Sequence, residues 1–223
     1  SLSQFAFLQA FNFSKVHQAL DLSEDFGGVA HFLADQVGHL DAVKLDPDLA
    51  RLSVRRCANK HNISHISEDL TRLKFPKHHY DLIIVGQLEA LQLENTEFEA
   101  LLAKLRHALT PHGCLVINAP NRDRLSRWFA PESQLSNNDL EFIDLYQHTR
   151  SSDKVGELSR KELRNQSLSA GFSAVDVHAS FALGKNCKNL FSEDYLTSSV
   201  NGLNHFYRLG AIPHLSLIHI SEP

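Results

Sequence analysis

The 223-residue chain has no methionine, one tryptophan and only three cysteines. Cys57, Cys114 and Cys187 are far apart and form no CxxC pair, so the sequence predicts neither a zinc site nor a disulfide framework. This usage fits a reducing compartment. No apolar run approaches the roughly 20 residues that a membrane-spanning helix needs, and no signal peptide is visible. We therefore expect a cytoplasmic protein with no membrane span.

Neither positive nor negative charge is in large excess. The formal net charge is -4, and no basic stripe stands out, so we expect no nucleic-acid partner. The 14 histidines raise the possibility of a metal site, above all at His61, His65, His78 and His79. These four have neither HxH nor HExxH spacing and no neighbouring cysteine, so solvated loop histidines are the favoured interpretation and no metal is predicted.

Both ends of the chain have unusual features. Because Ser1 is not a methionine, we expect translation to begin upstream of it. Residues 215–223 (LSLIHISEP) resemble the translated read-through of a sequencing adapter, and we exclude them from fold reasoning as a tail that is not native. The remaining residues, 1–214, are long enough for a single domain with a sizeable core, with an insertion at about 122–157.

Short aliphatic runs alternate with helical patterns, which indicates βα units around a mainly parallel sheet. The clearest strand is Tyr80–Gly86 (YDLIIVG), an unbroken apolar run typical of a strand covered on both faces. Other predicted strands are His17–Leu22, His39–Leu45, Asn62–Ile66, Cys114–Ala119, Ser173–Phe181 and Lys188–Phe191. Predicted helices are 2–12, Gly27–Val37, Pro47–Lys60 with Asp46 as N-cap, Thr96–Leu109 and one from Ser159 to Ala170.

Ligands of open α/β sheets bind beyond the carboxyl ends of the strands, where the strand order reverses. The first such loop runs from Asp21 to Gly28, between a strand and a helix. Glycines in that position let the backbone approach a ligand closely, and only Gly27 and Gly28 are present here. A tight strand-to-helix turn without a ligand explains the loop equally well.

Several segments, in order, resemble class I S-adenosylmethionine-dependent methyltransferases, especially those of polysaccharide and lipopolysaccharide gene clusters. ALDLSEDFGGVAHFLAD resembles the first motif, an acidic residue followed by GxGxG. The next three parts of the family pattern are matched, in order, by DAVKLDPDLARLSVRRC, SEDLTRLKFPKHHYDLIIVGQLEAL and LLAKLRHALTPHGCLVINAPNR. Three later segments resemble the polysaccharide-cluster subgroup: RLSRWFAPES, ELSRKELRNQSLSAGF and NLFSEDYL. The resemblance implies a Rossmann-like three-layer α/β sandwich whose seven-stranded sheet has one antiparallel strand near the end.

The resemblance also implies a cofactor, S-adenosylmethionine, and a set of residues around it. Asp21 falls on the acidic residue of the first motif, while Ser23, Asp25 and Gly27 fall on its three glycines, with Glu24 between them. Lys44 falls on the acidic residue that hydrogen-bonds the ribose, and Leu45 on a residue lining the adenine. The remaining matches are Asp69 at the adenine amino group, its apolar neighbour Leu70, and Gly86 beside the methionine part of the cofactor.

Two departures from the family pattern bear on the cofactor. Asp25 brings a negative charge to the expected site of the cofactor carboxylate, and Lys44 has only donors where the ribose needs an acceptor. Lys44 would instead donate to a hydroxyl or favour a ligand with a phosphate. Asp46, on the same face of an extended strand, is a possible substitute for the missing carboxylate.

The sequence identifies no catalytic residue. Glu89, Asn121 and His148 are candidates by location alone, and an exposed helix-end carboxylate explains Glu89 at least as well. The implied acceptor is a glycan or another small molecule. A second hypothesis is a methyltransferase-like module without catalysis, partnering a glycosyltransferase. A dinucleotide-dependent dehydrogenase ranks below both, because GxGxxG is absent.

Overall fold

The structure is a computed structural model. It describes Leu8 and residues 11–120, 158–183, 186–192 and 212–221. The helix predicted over 2–12 and the insertion predicted at about 122–157 lie almost wholly outside these residues.

Eight strands form one sheet in the described part of the chain, in the order β3-β2-β1-β4-β5-β8-β6-β7. The strands are β1 (Gln18–Asp21), β2 (His39–Lys44), β3 (Ile63–Ser67), β4 (Tyr80–Val85), β5 (Leu109–Pro120), β6 (Ala174–Leu183), β7 (Asn186–Ser192) and β8 (Ile212–Ser221).

The first five strands make a parallel sheet, as every pairing from β3 across to β5 is parallel. The chain moves outward from β1 to β2 and β3 on one side, and then returns to place β4 and β5 on the other. The strand order therefore reverses at β1, between β2 and β4, where a crevice opens at the carboxyl ends.

The last three strands pair antiparallel: β8 lies between β5 and β6, and β7 pairs with the outer side of β6. The sheet thus has eight strands rather than the seven expected. β8 includes most of the segment set aside as adapter-like. The alternation of apolar and polar residues in that segment is enough to form a strand beside an unpaired sheet edge, whatever its origin.

The helices are α1 (Gly28–Leu33), α2 (Pro47–Arg56), α3 (Asn95–Ala108) and α4 (Arg160–Ser169), with a short 3₁₀ helix at Leu88–Leu91. Asp46 caps α2 through the amide of Asp48, as predicted, and Pro47 occupies the first turn. Ser159 and Glu162 form the predicted capping box of α4.

Two apolar layers cover the sheet because neighbouring side chains of a strand face opposite ways. Within β4, Ile83 and Val85 join one buried cluster with α3 and α4. Leu82 and Ile84 join the other, together with α1. This arrangement confirms the three-layer α/β expectation and explains why β4 reads as an unbroken apolar run.

Some boundaries differ from the predictions. The first helix ends at Leu33 rather than Val37. The strand expected to begin at Cys114 begins at Leu109, directly after α3, with a register shift against β4 at Tyr80–Leu82. Pro111 and Gly113 therefore lie inside the strand as an irregularity, where the sequence suggested a break before it.

Candidate functional site

The crevice at the reversal point brings together the ends of three adjacent strands. Asp21 ends β1, Lys44 ends β2, and Gly86 follows β4. All three are residues that the sequence analysis assigned to a ligand site. The parallel pairing of these strands places their carboxyl ends at one edge of the sheet, which explains why residues so far apart in the chain meet.

Lys44 is buried in this crevice, with 1% of its surface exposed. Its ammonium donates to Asp21 Oδ2 at 3.2 Å, to Asp25 Oδ1 at 2.9 Å and to the carbonyl oxygen of Ser23. An ammonium has three protons to donate, so three acceptors satisfy it. Donation from Lys44 to a ribose hydroxyl or a phosphate stays a prediction, and it would require the ammonium to leave these three acceptors.

Asp25 caps α1 as well as pairing with Lys44. Its Oδ2 accepts from the amides of Gly28 at 2.7 Å and Val29 at 3.0 Å, and its Oδ1 accepts from the amide of Gly27 at 3.1 Å. The first turn of a helix otherwise leaves these donors unsatisfied. The carboxylate that seemed repulsive to a cofactor therefore has structural partners for both of its oxygens.

Burial and charge act against each other in this cluster. Burial raises the pKa of Asp21, and although Lys44 lowers it, the net pKa lies above the ordinary value. Burial alone would lower the pKa of Lys44, but the two carboxylates outweigh burial and raise it. Lys44 thus remains a cation at neutral pH.

Glu24 ties the loop after β1 to the loop after β2. Its carboxylate accepts from the amide of Leu45 at 2.7 Å and from that of Asp46 at 3.4 Å. Burial raises the pKa of Glu24, although these two amides oppose the rise. The Asp46 side chain caps α2 through Oδ1, and its role as a substitute for the missing acidic residue stays a prediction.

The residues at two of the three glycine positions of the first motif, Ser23 and Gly27, are tightly packed. Ser23 is fully buried against Gly86, where a Cβ on Gly86 would lie 2.2 Å from Ser23 Oγ and 2.7 Å from its Cβ. Gly27 has φ +77°, and a Cβ there would lie 2.7 Å from the Cα of Ser53 in α2. Gly27 is therefore required both by its backbone conformation and by the approach of α2.

A pocket of about 680 Å³ lies beside this cluster, in the size range of small-molecule sites. Leu45, Asp69 and Leu70, all assigned to the adenine by resemblance, line it together. Its other lining residues, which the sequence analysis did not identify, are Pro47, Ser67, Glu68, Thr71, Arg72, Leu91, Gln92, Leu93 and Glu97. Gln92, Leu93 and Glu97 lie outside the quoted motif segments, so only the tertiary structure shows them.

Asp69 is exposed at this pocket, and its Oδ1 accepts from the amide of Thr71 at 2.8 Å and from its hydroxyl at 2.7 Å. These bonds lower the pKa of Asp69 and keep it ionised at neutral pH. The half-buried Leu45 and the buried Leu70 supply apolar surface nearby. The pocket thus combines apolar walls for a planar group with a carboxylate acceptor at its rim.

The catalytic candidates remain predictions. Glu89 is exposed in the 3₁₀ helix after β4, and Asn121 and His148 lie outside the described residues. Among the residues that the structure describes, no cluster of three or more His, Cys, Asp or Glu side chains could bind a metal. No helix in the same part of the chain has the length and apolarity to cross a membrane.

The strand order, the reversal at β1 and the position of the pocket define a Rossmann-like α/β domain of the methyltransferase fold. Residues 19–113 match a family model described as a methyltransferase domain. This match spans β1 to the middle of β5 and includes all ten residues assigned to the site. Comparison with curated proteins gives no match.

Solved structures support the same fold. A SAM-dependent methyltransferase from Archaeoglobus fulgidus is 17% identical with a TM-score of 0.64, covering 99% of this chain and 93% of its own. A possible histamine N-methyltransferase from Thermotoga maritima is 12% identical with a TM-score of 0.63, covering 100% and 89%. Phosphoethanolamine N-methyltransferase 2 from Haemonchus contortus, in complex with S-adenosylmethionine, is 15% identical with a TM-score of 0.62, covering 99% and 52%.

The two ends of the crevice fit S-adenosylmethionine differently. The pocket at Leu45, Asp69 and Leu70 fits a nucleoside in size and in the chemistry of its walls. At the end of β1, the Lys44 ammonium and the Ser23 side chain occupy the space in which the resemblance places the amino-acid part. The nucleoside end therefore fits the cofactor, and the amino-acid end does not fit it in this conformation.

Proposed function

We propose that this chain binds S-adenosylmethionine and directs transfer of its methyl group to an oxygen of a sugar or related small molecule, in the cytoplasm, during cell-surface polysaccharide synthesis. The methyltransferase-domain match over residues 19–113 and the fold support the cofactor and the reaction. The proposed cofactor site comprises Leu45, Asp69 and Leu70 at the nucleoside, and Asp21, Ser23, Glu24, Asp25, Gly27, Lys44 and Gly86 around the amino-acid end.

The pocket is the observation that carries this proposal. It lies at the carboxyl ends of β2 and β3, next to the reversal of strand order at which open α/β sheets bind their ligands. Residues assigned to the adenine from two separate motifs converge on it, Leu45 from one and the adjacent Asp69 and Leu70 from the other. The pairing of β2 with β3 brings these two segments side by side, and Asp69 is exposed at the pocket rather than packed in the core.

The cofactor supplies an activated methyl group on a sulfonium. The contribution of the chain is to bind the nucleoside and hold an acceptor in line with that group. The sugar acceptor rests on the resemblance of RLSRWFAPES, ELSRKELRNQSLSAGF and NLFSEDYL to the polysaccharide-cluster subgroup. The solved relatives whose names include an acceptor have amine acceptors, so acceptor screening should include both sugars and amines.

Isothermal titration of S-adenosylmethionine into the purified chain tests cofactor binding. Transfer of a labelled methyl group to sugar nucleotides, glycans and amines tests the reaction. Saturable binding with transfer to a sugar supports the full proposal, and transfer to amines alone overturns the acceptor. Absence of saturable binding up to millimolar ligand, in a folded protein, overturns the cofactor and the reaction.

A matched pair of variants tests the pocket. We expect Asp69→Asn to weaken nucleoside binding by about tenfold, because the acceptor at the rim loses its charge. Glu68→Gln, a change of the same kind at a neighbouring lining residue, should have little effect. Equal losses in both variants would indicate a general effect of charge rather than a contact by Asp69.

The filled loop favours a second candidate function, a methyltransferase-like module without catalysis that partners a glycosyltransferase. The observation is that Ser23, Asp25 and Lys44 bond or pack with one another and their neighbours where a cofactor would lie. An inactive parent that gains methyl transfer after Ser23→Gly and Asp25→Gly supports this function. An active parent contradicts it.

A further inference from the structure

The acceptors around Lys44 form a complete binding site for an ammonium group. Asp21 Oδ2, Asp25 Oδ1 and the Ser23 carbonyl all belong to β1 and the loop after it, whereas Lys44 comes from the end of β2. The lysine therefore reaches the subsite from a neighbouring strand. Its three donors use all three acceptors, and Asp21 and Asp25 are 0% and 7% exposed.

This subsite adjoins the open pocket. Leu45, the residue after Lys44, lines that pocket, and Glu24 holds the amide of Leu45 at 2.7 Å. Glu24 also fixes the loop after β1 against the end of β2. An amino-acid group attached to a nucleoside in the pocket would therefore point toward the region that the Lys44 ammonium fills.

The Ser23 side chain also helps to fill the region beside the pocket. This side chain is fully buried. The side chain packs against Gly86 at the end of β4. The Ser23 side chain therefore fills space beside Gly86 that a glycine at position 23 would leave open.

We propose that the Lys44 ammonium occupies the subsite for a ligand's amino group, so that this chain recognises the nucleoside part of its ligand and gains nothing from the amino-acid part. The inference rests on the proposed function, because it takes the pocket to be a nucleoside site. A ligand's amino group can use Asp21, Asp25 and Ser23 only if Lys44 leaves them. Withdrawal of a buried, ion-paired lysine is unfavourable, so the extra contacts yield no net affinity.

Two ligands that differ only in the amino-acid part test this inference on the unaltered chain. S-adenosylhomocysteine has that part, and 5′-methylthioadenosine lacks it. We expect dissociation constants within about threefold of each other, whereas two new charge-assisted contacts would be worth at least about tenfold. Binding of S-adenosylhomocysteine that is tighter by about tenfold or more overturns the inference and leaves the proposed function intact.

Two variants of the same residue provide the second arm. Lys44→Ala vacates the subsite, so S-adenosylhomocysteine should bind about tenfold more tightly than to the parent, with 5′-methylthioadenosine unchanged. Lys44→Met removes the charge but fills the same space, so it should show no such gain. Equal gains in the two variants, or none in a folded Lys44→Ala protein, overturn the inference.

The combined outcomes separate the inference from the proposed function. A parent without methyl transfer whose Lys44→Ala variant gains S-adenosylhomocysteine binding supports the inference and contradicts the proposed function. Absence of nucleoside binding in both proteins overturns both. Circular dichroism verifies that each variant is folded, and if Lys44→Ala is not, the comparison of the two ligands on the parent decides the matter alone.

Discussion

Lys44 and Asp25 form a buried ion pair, with Nζ 2.9 Å from Oδ1 and exposures of 1% and 7%. Each departs from the methyltransferase pattern that the sequence resembles, one replacing an acidic residue and the other a glycine. Lys44 pairs with Asp21 as well as with Asp25, so one ammonium faces two buried carboxylates. Lys44 therefore offsets part of the charge that Asp25 brings to the crevice, and the two departures act on one cluster.

The first prediction concerns the stability of this pair. We expect Lys44→Met to lower the free energy of unfolding by about 3 kcal/mol, because it leaves the carboxylates of Asp21 and Asp25 buried without a cation. Urea denaturation measures the loss. Lys60→Met is the control: its partner Asp35 is 57% exposed, so the cost should stay below about 1 kcal/mol. Similar losses in both variants would contradict a special role for the buried pair.

The second prediction concerns the contact of Ser23 with Gly86. Gly86→Ala should cost about 1–3 kcal/mol, because the new methyl group would overlap Ser23. Adding Ser23→Gly should recover much of that loss, which a double-mutant cycle measures as a coupling energy. Gly38→Ala provides the control, since its Cβ would meet the backbone oxygen of His17 at 2.8 Å. If Ser23→Gly also recovered the stability lost in Gly38→Ala, its effect would not be specific to the contact with Gly86.

The third prediction concerns Glu24, whose pKa burial raises above the ordinary 4.5. Between 4.5 and the folded value, the folded chain binds more protons at this group than the unfolded chain. The stability that Glu24 contributes is therefore fully present below 4.5 and is lost as the pH rises through the folded value.

Glu24→Gln removes this titration and retains an oxygen that accepts from the amide of Leu45. The stability of the variant relative to the parent should accordingly increase from about pH 4 to about pH 7. Urea unfolding of both proteins across this range measures the difference. A difference that is constant with pH, or that falls as the pH rises, would show that the raised pKa of Glu24 is wrong.

The fourth prediction concerns two thiols. Burial raises the pKa of Cys114 to about 12 and also raises that of Cys57. Because the thiolate is the reactive form, neither should react appreciably with a thiol reagent at about pH 8 in the folded protein. Mass spectrometry after labelling identifies the modified residues, and the same protein in denaturant provides the positive control. Rapid labelling of Cys114 in the folded chain would contradict the packing of β5 against its neighbours.

The sequence by itself determined the alternation of strands and helices through β5, as well as the caps of α2 and α4. These features follow from local patterns: the apolar run of β4, Asp46 before Pro47, and Ser159 three residues before Glu162. Hydrophobic period and capping chemistry act over a few residues, so they can be read without knowing the fold. The boundary of β5 was missed because pairing with β4 extends the strand past Pro111 and Gly113.

The candidate site likewise has one part that the sequence predicts and one part that only the tertiary structure shows. Motif order predicts its residues, and three of them, Leu45, Asp69 and Leu70, line one pocket. Only the tertiary structure showed that Lys44 turns inward to Asp25 and Asp21, because the direction of a long side chain depends on acceptors that lie 19 and 23 residues away in the chain. Residue identity fixed which charges are present, and the packing of β1 against β2 decided that the one ammonium meets both carboxylates.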